Sequence, residues 1–157
     1  MSWPRQQLAP AGMTLFELVT VLAIVVILAG IAMPRFSSAD QRHRADAAAQ
    51  RIAADLHYAG RTARARAASV GVSFSLETDT YTAAVRALDA GPDEPYVVHL
   101  DRPPYRVRLV DVDFAGGTTV TFDGYGRPTE SGQVTVEVGQ NQRRIVIDST
   151  DGAIRLE

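Results

Sequence analysis

Glu17 is the one carboxylate in a stretch from Met13 to Pro34 that contains no Asn, Gln, Lys, Arg or Asp and closes in an unbroken apolar run from Val21 to Met33. A helix needs about 20 such residues, each rising about 1.5 Å, to cross the hydrocarbon core of a bilayer. A charge at that depth is costly unless it finds a partner, so the carboxylate is expected either to meet a cation or to sit near the headgroups in interfacial water. Gly12 stands immediately before the run. It reads as an ordinary loop glycine or as a position kept free of a bulky side chain that would obstruct a peptidase. Thr14 is placed to cap the first turn of the helix.

The other polar residues offer little catalytic chemistry. His43 and His57 lie fourteen residues apart on one expected helix and His99 lies in an expected strand, so neither metal-ligand spacing nor a triad is apparent. Asp111 with Asp113, and Asp148 with Asp151, lack the run of oxygen ligands a calcium loop needs, and Asp151 is better used in a turn. The chain has no Cys, which excludes disulfides, thiolate metal sites and a Cys nucleophile. It has no Gly-rich phosphate loop, and no metal or cofactor is expected. Arg143, Arg144 and Arg155 are the candidate nucleic-acid contacts, a patch whose few phosphate contacts would give weak, steeply salt-dependent binding.

Charge separates the chain into regions. Every basic residue but the histidines is Arg; from Arg35 to Ser69 seven Arg face three Asp, whereas from Val70 onward eight Arg face fourteen Asp and Glu. A basic segment thus precedes an acidic one, which argues against a broad nucleic-acid surface on the latter.

Beyond Pro34, small or apolar residues recur at Ala45, Ala49, Ile52, Leu56, Ala59, Ala63 and Ala67, while Arg42, Arg44, Arg51, Arg61 and Arg64 mostly point elsewhere. Steps of three and four predict an amphipathic helix to about Ser69. Pro34 removes one backbone donor and predicts a kink, with the helix resuming beyond it. From Val70 the period becomes two. Strands are expected at 70–76, 81–88, 96–100, 105–114, 118–122, 133–138, 144–147 and 153–156, separated by turns such as Gly91-Pro92, Asp123-Gly124 and Ser131-Gly132. Asp151-Gly152 is the strongest candidate for a tight two-residue hairpin turn.

Gly12-Met13-Thr14-Leu15-Phe16-Glu17-Leu18, with the run to Ile31-Ala32-Met33-Pro34, resembles the signal of type IV prepilins and type II secretion pseudopilins. Met13 stands where that family usually has Phe. Val120-Thr-Phe-Asp-Gly124-Tyr-Gly126-Arg-Pro128, followed by Val134–Val138 and Arg144–Asp148, is similar to the C-terminal half of the GspH/FimT family of minor pseudopilins and pilins.

The resemblance implies an α+β chain: a leader at 1–12, a transmembrane and assembly helix at 13–34, an amphipathic stalk helix at 35–69, and an antiparallel β-sandwich head at 70–157. The two helical parts form one long bent helix packed on the head. It further implies cleavage by a prepilin peptidase between Gly12 and Met13, N-methylation of Met13, and pairing of Glu17 with the N-terminal amine of a neighbouring subunit. Such a chain is no enzyme; its partners are the peptidase, other pilins or pseudopilins, and inner-membrane lipid, with the head in the periplasm. Three assignments follow in order: a GspH-like pseudopilin of type II secretion, a FimT-like minor type IV pilin for pilus initiation or DNA uptake, and a signal-anchored periplasmic binding domain.

Overall fold

The computed structural model describes residues 14–86 and 95–157, with the side chains of 30–38, 86 and 95 outside that description. The Gly91-Pro92 turn falls outside it. The chain opens with helix α1, Leu15–Arg66, and divides into two compact units after Ser38, within the helix. The helix is rich in Ala and Arg, strong helix formers. It begins at a capped end: the Glu17 backbone N–H donates to Thr14 Oγ1 at 3.2 Å and the Leu18 N–H to the Thr14 carbonyl at 3.1 Å. At the other end, Ala67 adopts a left-handed φ of 48°, its N–H donates to the Arg64 carbonyl and the Ala68 N–H to the Ala63 carbonyl. That double closure is a Schellman cap, which stops the helix short of Ser69.

The unit from Ala39 onward holds the core. Its strands are β1 (Val70–Ser75), β2 (Thr80–Arg86), β3 (Pro95–His99), β4 (Arg108–Phe114), β5 (Thr119–Phe122), β6 (Gly132–Val138), β7 (Asn141–Ile147) and β8 (Ile154–Leu156). They form two antiparallel sheets ordered β3-β2-β1-β5 and β4-β6-β7-β8. Alternation puts Val70, Val72 and Phe74 of β1 with Tyr81, Ala83 and Val85 of β2 on one inner face, and Val134, Val136, Ile145 and Ile147 on the other. Helix residues Ala48, Ala49, Ile52, Leu56, Ala59 and Ala63 complete the same core. The architecture is thus the expected α+β arrangement of helix and antiparallel sheets.

Several local details differ from expectation. Strand β4 starts at Arg108, because the Tyr105 and Arg106 N–H groups both donate to the Arg102 carbonyl and close a turn. A register shift between Leu109 and Asp111 then lets Leu109 and Phe114, five positions apart, both face inward. Strand β7 starts at Asn141, because Gly139, at φ 61°, permits a tight turn directly after Val138. Asp151-Gly152 does not form a two-residue hairpin turn. Ile147 pairs with Ile154, and the intervening loop is stapled by the Asp148 carboxylate accepting from the Thr150 N–H and the Asp151 carboxylate from the Ala153 N–H. Aspartate's capacity to bond its own backbone two residues on outweighed the turn preference of the Asp-Gly pair.

Two contacts lock the helix to the sheets. The first is polar: Asp55 Oδ2 accepts from the Tyr81 hydroxyl, from the Tyr96 hydroxyl at 3.1 Å and from Arg51 Nε at 3.0 Å. Burial, and then the hydrogen bond to Asp55, hold the Tyr81 phenol well above its ordinary pKa, so it remains the donor. The second is a backbone approach. A Cβ on Gly126 (φ 77°) would lie 2.5 Å from the Gly60 carbonyl oxygen, and one on Gly124 would lie 3.0 Å from the Ala67 carbonyl carbon.

Because the folded-state pKa of Tyr81 lies above the unfolded value, its stabilisation is complete below about pH 10 and declines as pH rises past that point. Stability measured by urea unfolding should therefore fall in this alkaline range, with a shallower slope in Tyr81→Phe. Gly126→Ala should cost about 2–4 kcal/mol from overpacking and positive-φ strain. Ala67→Gly should instead stabilise by up to about 1 kcal/mol by relieving the left-handed cap.

Candidate functional site

Glu17 lies in the first turn of α1, three residues after the capping Thr14. Thr-x-x-Glu is also the spacing of a capping box, a local signal that the sequence carries beyond a simple cap at Thr14. The carboxylate is exposed and sits at the positive end of the helix dipole, where negative charge is stabilised. Around it, Leu15 is 83% and Phe16 81% exposed, and Leu18, Val19, Val21, Leu22 and Ile24 through Leu28 are exposed as well. Exposed apolar residues on every side of a helix mark a surface built to be covered by something apolar.

Gly12 and Met13, the expected cleavage and methylation positions, lie outside the described residues. The helix is continuous through Pro34, whose side chain, and with it the expected kink, also lies outside the description. Among the described residues no helix is long and apolar enough to cross a membrane. The described apolar side chains end at Ala29, while the sequence carries the run on to Met33.

The three candidate arginines do not form one patch. Arg143 shares the inward parity of Ile145 and Ile147 on β7, and its guanidinium pairs with Asp46 of the helix. Arg144 points to the opposite face and is exposed. Arg155 lies opposite Val146, on the face of Arg144, and is paired with Asp148 and Asp151. Among the described residues no three His, Asp or Glu side chains come together as a metal site.

The turn from Asp123 to Arg127 holds a less legible feature. Asp123 Oδ1 accepts from the Tyr125 and Arg127 N–H groups at 2.9 and 2.8 Å, and Arg64 Nε donates to the Tyr125 carbonyl at 2.8 Å. The Tyr125 ring is left 77% exposed. The Gly-x-Gly spacing marked a turn, but not its docking on the helix, which depends on Gly60 sixty-six residues earlier.

The different surroundings of the adjacent arginines set different costs. Arg143→Ala should lower stability by up to about 1 kcal/mol, the upper range for a partly exposed ion pair. Arg144→Ala should stay within about 0.5 kcal/mol, both read by urea unfolding.

The fold is similar to that of a solved minor pilin. The type IV minor pilin FimU of Pseudomonas aeruginosa superposes in one crystal form with a TM-score of 0.53 at 17% identity, covering 74% of this chain and 90% of FimU. A second crystal form gives 0.50 at 16% identity, covering 71% and 91%. No curated protein sequence matches the chain. The family model described as type II transport protein GspH matches residues 48–151, about two thirds of the length and spanning the buried half of α1 through β7. The chain belongs to the GspH family of type II transport proteins.

Proposed function

We propose that this protein is a minor pseudopilin of a type II secretion system, made as a precursor and built into a short filament through its N-terminal helix. Prepilin peptidase cuts between Gly12 and Met13, and the new amine at Met13 is methylated. The segment 13–34 then anchors the subunit in the inner membrane, 35–69 forms the stalk helix, and 70–157 stands in the periplasm as the head. The observation that carries this reading is the single carboxylate in the capped first turn of a helix whose apolar residues are exposed on all sides. Such a carboxylate in lipid needs a cation, and the amine of a neighbouring subunit supplies one at the depth where Glu17 sits. Membership of the GspH family supports the secretion assignment.

The second reading is a FimT-like minor type IV pilin for pilus initiation or DNA uptake, favoured by the likeness of the fold to FimU. The separation of Arg143 from Arg144 and the pairing of Arg155 weigh against DNA capture by those three side chains.

Two measurements test the assembly role. Mass spectrometry of the mature protein should find an N-terminus at methylated Met13; any other start sinks the prepilin reading. Glu17→Gln leaves the bond from the residue-17 N–H to Thr14 in place and removes only the charge. Its processing should be unchanged while its recovery in filaments falls at least about tenfold, the size of a charge-assisted contact. Undiminished recovery would show that the charge of Glu17 has no part in assembly.

A further inference from the structure

Between the C-terminal turns of α1 and the ends of β5 and β8 lies an open cleft of about 190 Å³. One wall is a basic row, His57, Arg61 and Arg64, spaced so that all three share a helix face; Ile154 is the partly exposed apolar side chain lining it, while Leu56 and Phe122 lie buried behind. Every ionisable side chain lining it is basic. Arg64 is held in place by its Nε bond to the Tyr125 carbonyl, and among the described residues neither Arg61 nor His57 has an acidic partner. Tyr125, next in sequence to the lining residue Gly126, is 77% exposed. One guanidinium held in place, a second beside it, a partly exposed isoleucine and a neighbouring exposed tyrosine are the ingredients of a protein-binding anchor site.

The occupant follows from charge and size. The cleft has room for roughly six waters, and three basic side chains are all the charge that lines it. A polyanionic strand needs a longer basic stripe than this. A single carboxylate with an apolar neighbour pairs with Arg61 and Arg64 while its neighbour covers the exposed part of Ile154. We propose that this cleft receives an acidic peptide segment, an Asp or Glu flanked by an apolar residue, from an adjoining subunit of the filament. That the donor is a filament subunit rests on the function proposed above; the preference for an acidic peptide rests on the cleft alone.

The preference is tested with the purified full chain in neutral detergent, titrated with a short alternating Leu-Glu peptide, its Leu-Gln counterpart and a short DNA duplex. The Leu-Glu peptide should bind, with affinity lowered about tenfold in Arg61→Gln and by a similar factor when Gln replaces Glu. Absence of Leu-Glu binding, equal affinity for both peptides, indifference to Arg61→Gln, or tighter binding of the duplex would each overturn the proposal. Arg66→Gln, a neighbouring arginine that does not line the cleft, should leave the affinity unchanged.

The source of the segment is tested in producing cells by a photoreactive residue at position 57, an exposed site whose replacement spares the core. The adduct should map to a net-negative stretch of another pilin-like subunit, and Arg61→Glu should remove it until the mapped acid is changed to Arg. An adduct to a neutral or basic stretch, or to DNA, refutes the filament donor. The same spectra read the N-terminus, so a chain not cut at Gly12 marks failure of the assembly reading, while the titration still decides the cleft.

Discussion

Between Ala45 and Ala63 the helix meets the sheets through side chains that are mostly single methyl groups: Ala45, Ala48, Ala49, Ala59 and Ala63 are all fully or almost fully buried, with Ile52 and Leu56 as the only bulky insertions. Small side chains let the helix backbone come close enough for direct contacts that longer residues would prevent. Gly60 approaches the Gly126 turn, and Asp55 reaches both Tyr81 and Tyr96 across the sheet. With so little helix surface contributed per residue, the larger part of the hydrophobic burial comes from the sheets, through Phe74, Tyr81, Phe114, Phe122, Ile145 and Ile147. Phe74 lies between Tyr81 and Phe114, with ring centroids 5.5 and 6.0 Å away, and so joins the two sheets through one aromatic cluster.

The polar contacts at this interface decide orientation. Asp55 satisfies two phenols and a guanidinium with one carboxylate, Arg143 reaches Asp46, and Arg42 reaches Asn141 at 3.3 Å. The bonds from Asp55 to Tyr81 and Tyr96 tie the helix to one sheet and those to Arg143 and Asn141 tie it to the other, and alanine packing by itself, being nearly featureless, would permit sliding along the helix axis. The directional bonds remove that freedom. Among the helix arginines, Arg42 and Arg51 take part in these contacts, through Asn141 and Tyr96.

Much of the fold was legible in residue order. Alternation located the eight strands of the described residues to within a few positions, and the step of three and four along the alanines marked the buried face of the helix. What alternation could not show was the Leu109–Asp111 shift, because a bulge changes which parity faces inward without changing residue type. Nor could it divide Arg143 from Arg144: adjacency in a strand places neighbours on opposite faces, but which face is buried is decided by the partner sheet. The loop at Asp148–Ala153 misled through its Asp-Gly pair, because two aspartates there bond to backbone rather than leaving the turn to glycine.

The sequence by itself determined the family resemblance, since the spacing of Gly12, Thr14, Glu17 and the apolar run, and the turn pattern from Val120 to Pro128, are local and linear and need no fold to be read. Tertiary structure alone decided how the helix is held and where a further surface lies. The Asp55 cluster, the Gly60–Gly126 approach and the basic cleft each join residues more than twenty-five positions apart. Such contacts exist only after two sheets and a helix have closed around one core, and no period in the chain encodes them.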